Sequence, residues 1–64
     1  MDINIERDRV KSFVEKGNYH AAINIAISAL NECRRKNNQA GVDFFLQLIR
    51  DVVQSMSDAF GSQD

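Results

Sequence analysis

The sequence has no proline and no tryptophan, one cysteine, and only three glycines among its 64 residues. A lone cysteine cannot close a disulfide within the chain, and neither Cys33 nor His20 has a second ligand nearby at a metal-binding spacing. So short a domain buries a smaller share of its surface than a larger domain does. Without a disulfide or a metal, its stability must come from regular helix packing or self-association. We therefore predict no metal and no cofactor.

Long apolar runs and a strong excess of charge are also missing. No segment approaches the roughly 18 apolar residues of a bilayer span, and the first residues do not begin a signal peptide. We therefore expect a cytoplasmic protein without a membrane partner. The net charge is −1, with seven Lys/Arg against five Asp/Glu in residues 1–36 and one against four in residues 37–64. So weak a charge argues against nucleic acid as the partner.

Apolar residues recur at helical spacing almost throughout, and the glycines separate the helical segments. Gly17 precedes Asn18, a favourable N-cap residue, and Gly41 follows the polar segment 36–39. We predict helices over residues 3–16, 19–36 and 40–60. They would form a single helical domain over residues 1–61, with a frayed tail at 62–64. The predicted fold class is all-α: a self-associating antiparallel three-helix bundle, or a helical hairpin with a third helix added.

Small residues line one face of the second predicted helix, and another helix can approach closely there. Larger apolar residues lie beside them and on a narrow stripe of the first helix. The residues predicted to pack the helices together are Ala22, Ala26, Ala29, Leu30, Val10 and Phe13.

The third predicted helix has a much broader apolar face than the other two. On a step of 100° per residue, its apolar side chains cover about 200°, whereas one core needs roughly 100°. The excess would be a large exposed apolar patch, and such patches mark protein interfaces. The sequence therefore predicts a partner-binding surface at Phe44, Phe45, Leu48, Ile49, Val52 and Met56.

The remaining polar candidates have simple structural interpretations. His20 is expected to be a solvated surface residue, and Cys33 a small packed hydrophobe. The basic segment Arg34–Lys36 suits the C-terminus of a helix, where cations interact favourably with the dipole. No catalytic motif is present. We predict a non-enzymatic protein, with a dimeric nucleic-acid-binding regulator as one alternative that would use the basic segment.

The segment 17–23, Gly-Asn-Tyr-His-Ala-Ala-Ile, followed by Ala29 and Leu30, resembles the second helix of a tetratricopeptide repeat. Phe13 falls where the first helix of that repeat carries an aromatic residue. The sequence departs from the pattern at Glu6, Arg9, Val10 and Arg34. The resemblance implies a helical hairpin that binds protein and needs a further helical layer, which the third helix would supply.

A second resemblance lies in residues 29–35, Ala-Leu-Asn-Glu-Cys-Arg-Arg, before the last predicted helix. This segment and the chain length are similar to small bacterial co-chaperones of type III secretion needle subunits, which pair with a tetratricopeptide-like partner. The leading hypothesis for function comes instead from the broad apolar face of the third helix: an adaptor or regulator that binds another protein, the simplest partner being a second copy. The alternative is a secretion co-chaperone bound to a helical repeat protein.

Overall fold

The computed structural model describes residues 2–61, and within this range it contains three α-helices and no strand. Helix α1 spans Ile3–Glu15, α2 spans Tyr19–Arg35 and α3 spans Gln39–Ala59. The all-α fold class and the three-helix architecture are confirmed. The frayed tail predicted at 62–64 lies outside the described residues.

Each helix begins at an Asp or Asn side chain that caps it. Asp2 Oδ1 accepts from the backbone N–H of Asn4 at 2.9 Å, Asn18 Oδ1 from that of Ala21 at 3.2 Å, and Asn38 Oδ1 from that of Gly41 at 3.0 Å. The first N–H groups of a helix have no partner within the helix. These caps therefore fix where the helices start.

The two turns between the helices share one geometry. The residue after each C-cap has a positive φ, 78° at Gly17 and 56° at Asn37. The next backbone N–H bonds to a carbonyl five residues back: Asn18 N to Phe13 O at 2.9 Å, and Asn38 N to Cys33 O at 2.8 Å. This is the hydrogen bond of a helix-ending Schellman turn. Only three residues thus separate successive helices, which reverses the chain sharply at each turn.

Helix α2 packs against both other helices, whereas α1 and α3 contact each other over a much smaller region. Its small-residue face consists of Ala22, Ala26, Ala29 and Cys33, all at most 3% exposed. The larger core side chains come from the neighbouring helices and are Val10, Phe45, Leu48 and Val52. Phe13 and Leu30 are partly buried beside this core. The Cα envelope measures 41 × 20 × 14 Å, so the molecule is thin and leaves much of α3 at its surface.

Candidate functional site

Helix α3 carries two parallel apolar rows with the same spacing of four and three residues. The inner row is Gly41, Phe45, Leu48, Val52, Ser55 and Ala59. The outer row, one residue further along at every step, is Val42, Leu46, Ile49, Val53, Met56 and Phe60. Alternating steps of four and three keep each row on one side of the helix, as in a heptad repeat.

The inner row faces the core of the same chain. Phe45 is 0% exposed, Val52 3% and Leu48 9%. These three residues belonged to the predicted partner surface, and the structure corrects that prediction. They fill the space beside the alanine face of α2, and side chains so completely covered have little surface left for a partner.

The outer row faces solvent along much of its length. Leu46 is 43% exposed, Val53 44% and Phe60 74%, and Val42, Ile49 and Met56 are partly exposed. Of the predicted surface, only Ile49 and Met56 lie in this row. Leu46, Val53 and Phe60 were missed as partner-binding residues, although their spacing to Val42, Ile49 and Met56 is visible in the sequence.

Phe44 lies apart from the outer row. It is 36% exposed, and its ring meets that of Phe45 edge to face, with centroids 5.1 Å apart. On the 100° step, Phe44 lies roughly 160° from the centre of the outer row. The structure therefore separates Phe44 from Ile49 and Met56, the two predicted partner residues that lie in the outer row.

One edge of α2 extends the apolar surface of the outer row. The rings of Tyr19 and Phe60 meet edge to face, with centroids 6.0 Å apart. Tyr19, Ile23, Ile27 and Leu30 fall within about 80° of one another around α2, and Ile27 is 41% exposed. The apolar surface thus spans two antiparallel helices. Such a surface suits the side of another helix.

A shallow groove separates α1 from α3 on another side of the molecule. Its volume is about 250 Å³, and it is lined by Val10, Lys11, Val14, Glu15, Leu48, Asp51, Val52 and Ser55. Ligand pockets usually occupy roughly 300–1,000 Å³ and bury most of their ligand. This groove is smaller than that range, so it offers a weak candidate for small-molecule binding.

The basic segment at the end of α2 is partly neutralised by its own helix. Glu32 forms ion pairs with Arg35 at 2.5 Å and Lys36 at 3.0 Å. The hydrogen bond from Arg35, together with the hydrogen bond and charge of Lys36, lowers the pKa of the Glu32 carboxyl below its ordinary value. Two of the three cations thus already have an anionic partner. This arrangement argues against a phosphate-binding surface.

His20 and Cys33 have different environments. His20 is exposed on the first turn of α2, while Cys33 is a free thiol, 1% exposed, packed between α2 and α3.

Among residues 2–61, no cluster of three His, Cys, Asp or Glu side chains is placed to hold a metal ion. Within the same range, no helix is both long and apolar enough to cross a bilayer.

Comparisons of the chain with protein-family models, with curated proteins and with solved structures find no significant match.

Proposed function

We propose that this chain is a small, non-catalytic protein-interaction module, an adaptor or regulator, that binds its partner through the outer row of α3. The observation that supports the proposal is the exposure of Leu46, Val53 and Phe60 in a single row beside an apolar edge of α2. Apolar area contributes roughly 25 cal/mol per Å² when it leaves water. A row of six such residues is therefore a substantial source of binding free energy.

The spacing of the row also indicates what kind of surface would cover it. Steps of four and three residues match the contact line between two packed helices. Scattered surface hydrophobes are common and carry no such pattern. A partner that presents an amphipathic helix would bury Leu46 and Val53 between neighbouring side chains. We also propose that the chain acts in the cytoplasm.

Site-specific photo-cross-linking in the cells that make the chain tests the proposal. A photoreactive amino acid at Leu46 should form a protein adduct, whereas one at Ile5 should not. Ile5 is a suitable control because it is also apolar, is 56% exposed and lies on α1. Equal adduct yields at the two positions, or none at either, would contradict the proposal.

A second substitution makes the same experiment more specific. Val53→Gln, one heptad beyond Leu46, should lower the adduct yield at position 46 because it places an amide in the contact line. The matched change Ile5→Gln should leave the yield unaltered. Far-ultraviolet circular dichroism should show unchanged helix content in both variants, since both positions are exposed.

The two alternative functions predict different adducts in that experiment. A secretion co-chaperone would use the outer row against a different, helical-repeat chain, so the adduct would contain that second protein. A nucleic-acid-binding regulator would instead use the end of α2, where Glu32 already pairs with Arg35 and Lys36. We favour the protein-binding function for this reason.

A further inference from the structure

We infer that the outer row packs against the outer row of a second copy of this chain, with the two α3 helices antiparallel and Asp43 of each copy opposite Arg50 of the other. The inference rests on the proposed function, because it names the partner of the same surface. It comes from the charges along the edge of the row.

Asp43, Arg50 and Ser57 flank the outer row on its solvent side. Each directly follows a row residue, Val42, Ile49 or Met56. In heptad terms these are the e positions, beside the contact line, where charges determine partner choice and orientation. The other flank belongs to the inner row, which carries no charge and largely faces the core of its own chain. Within α3, only the flank of Asp43 and Arg50 therefore carries charges that can form ion pairs with a neighbour.

Both charged groups can reach a partner. Asp43 and Arg50 are exposed, and among residues 2–61 Arg50 has no ion pair, unlike Arg7, Arg9 and Arg35. Asp43 Oδ1 accepts from Gln39 Nε2 at 2.9 Å, which leaves the second carboxylate oxygen open. Seven residues place the two groups on the same edge, about 10 Å apart along the axis.

Self-complementarity of this edge selects the antiparallel arrangement. A two-fold axis perpendicular to α3 brings the same edge of both copies together, so that each contact occurs twice. Asp43 then meets Arg50 of the second copy, and Arg50 meets its Asp43. In a parallel pair this edge would face the inner-row flank, whose α3 residues carry no charge.

The same pairing selects the register. It places the axis between Leu46 and Ile49, so Leu46 packs on Ile49 of the second copy and Val42 packs on its Val53. A shift of one heptad toward the C-terminus would set Arg50 against Arg50, and a shift the other way would set Asp43 against Asp43. Like charges at such positions are unfavourable.

This register covers two of the three most exposed residues of the row, Leu46 and Val53, and leaves Phe60 uncovered. The four residues it places at the centre include Leu46 and Val53, each more than 40% exposed in the single chain. Phe60 lies beyond the paired region, where its ring already contacts Tyr19 of its own chain. Ile27, 41% exposed on the neighbouring edge of α2, borders the contact and would be covered with it.

Sedimentation equilibrium of the full chain with charge-reversed variants tests the inference. The wild type should be a dimer at micromolar concentration. Asp43→Arg and Arg50→Asp should each weaken dimerisation about tenfold, because each converts two attractive pairs into two repulsive ones. The double variant Asp43→Arg/Arg50→Asp should regain most of the wild-type affinity.

Asp58→Arg is the matched control. Asp58 accepts from Gln54 Nε2 at 3.0 Å, as Asp43 does from Gln39, but it lies on the polar face of α3. Its reversal should leave the dimer unchanged. Circular dichroism should show that all four variants remain helical, since every altered side chain is exposed.

Four results would overturn the inference. If neither single reversal changed the dimer affinity, the Asp43–Arg50 pairing would be excluded. If the double variant dimerised as weakly as the single variants, this register would be excluded. A monomeric wild type that still forms an adduct with a different protein at position 46 would reject the second copy but keep the proposed function. A monomer without any adduct would reject both.

Discussion

Cys33 packs directly against the bare Cα of Gly41, so that a methyl group built on Gly41 would lie 2.5 Å from Cys33 Sγ. The same methyl group would lie 2.9 Å from Asn38 Nδ2, on the side chain that caps α3. The absence of a side chain at Gly41 thus allows the start of α3 to lie close to the end of α2.

Gly41→Ala should therefore destabilise the chain. Overpacking costs roughly 1–3 kcal/mol, whereas alanine gains at most about 1 kcal/mol over glycine in a helix. The net loss should be about 1–2 kcal/mol, measured by chemical unfolding followed by circular dichroism. In a Cys33→Ala background the sulfur is gone, so the same substitution should cost less. An equal cost in both backgrounds would show that the Cys33 contact is not the cause.

Asn37→Gly should stabilise the turn between α2 and α3. Asn37 has φ 56°, in the left-handed region that glycine adopts without steric cost. Part of the gain is offset by the greater freedom of glycine in the unfolded chain, so we expect about 0.5 kcal/mol. Gly17→Asn, at the equivalent position of the other turn, should cost a similar amount. Thermal melts of both variants measure the two effects, and a loss at position 37 would contradict this account.

Glu32 should make stability depend on pH in the acid range. Arg35 and Lys36 hold its pKa below the ordinary value of 4.5 in the folded chain. The ionised carboxylate therefore favours folding above pH 4.5, and this contribution is lost as the pH falls through the folded-state pKa. The melting temperature of Glu32→Gln should lie below that of the wild type at neutral pH and approach it in acid. Glu15→Gln is the control, because Glu15 is exposed and has no ion pair among residues 2–61. The difference in melting temperature between Glu15→Gln and the wild type should change much less with pH.

Leu48→Asp and Val53→Asp should have different effects, because Leu48 belongs to the buried inner row and Val53 to the exposed outer row. Leu48 is 9% exposed, and a carboxylate there would be buried without a partner, which should cost more than about 3 kcal/mol. A chain of this size should then lose its helical circular dichroism. Val53 is 44% exposed, so Val53→Asp should stay folded and lose only association. Two equally folded variants would contradict the assignment of the rows.

The helix ends could be predicted from the sequence, because they depend on local chemistry. Asn18 and the Gly17 before it are visible signals for a cap and a left-handed turn, and the observed helices begin and end within one residue of the predicted bounds. The division of α3 into two rows could not be predicted in the same way. Its apolar arc is continuous, and only the position of the α2 alanine face decides that Phe45 is buried while Leu46 is exposed.

The missed partner residues have a physical explanation of the same kind. The prediction includes Phe44 because it belongs to the broad apolar arc of the third helix, but helical angle alone does not show which edge of the arc lies next to α2. The prediction omits Phe60, although it is the most exposed large hydrophobe among residues 2–61. It follows the last helical residue and contacts Tyr19 across the chain, a relationship between residues 41 positions apart.

Because α1 and α3 meet so little, α2 provides most of the cohesion of the molecule. Neither outer helix has an alternative place to dock if α2 loses its structure. The backbone amides near Ala26 should therefore exchange with solvent hydrogen only when the entire chain opens, whereas those near Ile5 should exchange through local fraying. The slowest-exchanging amides would then mark the middle helix as the cooperative centre of this chain.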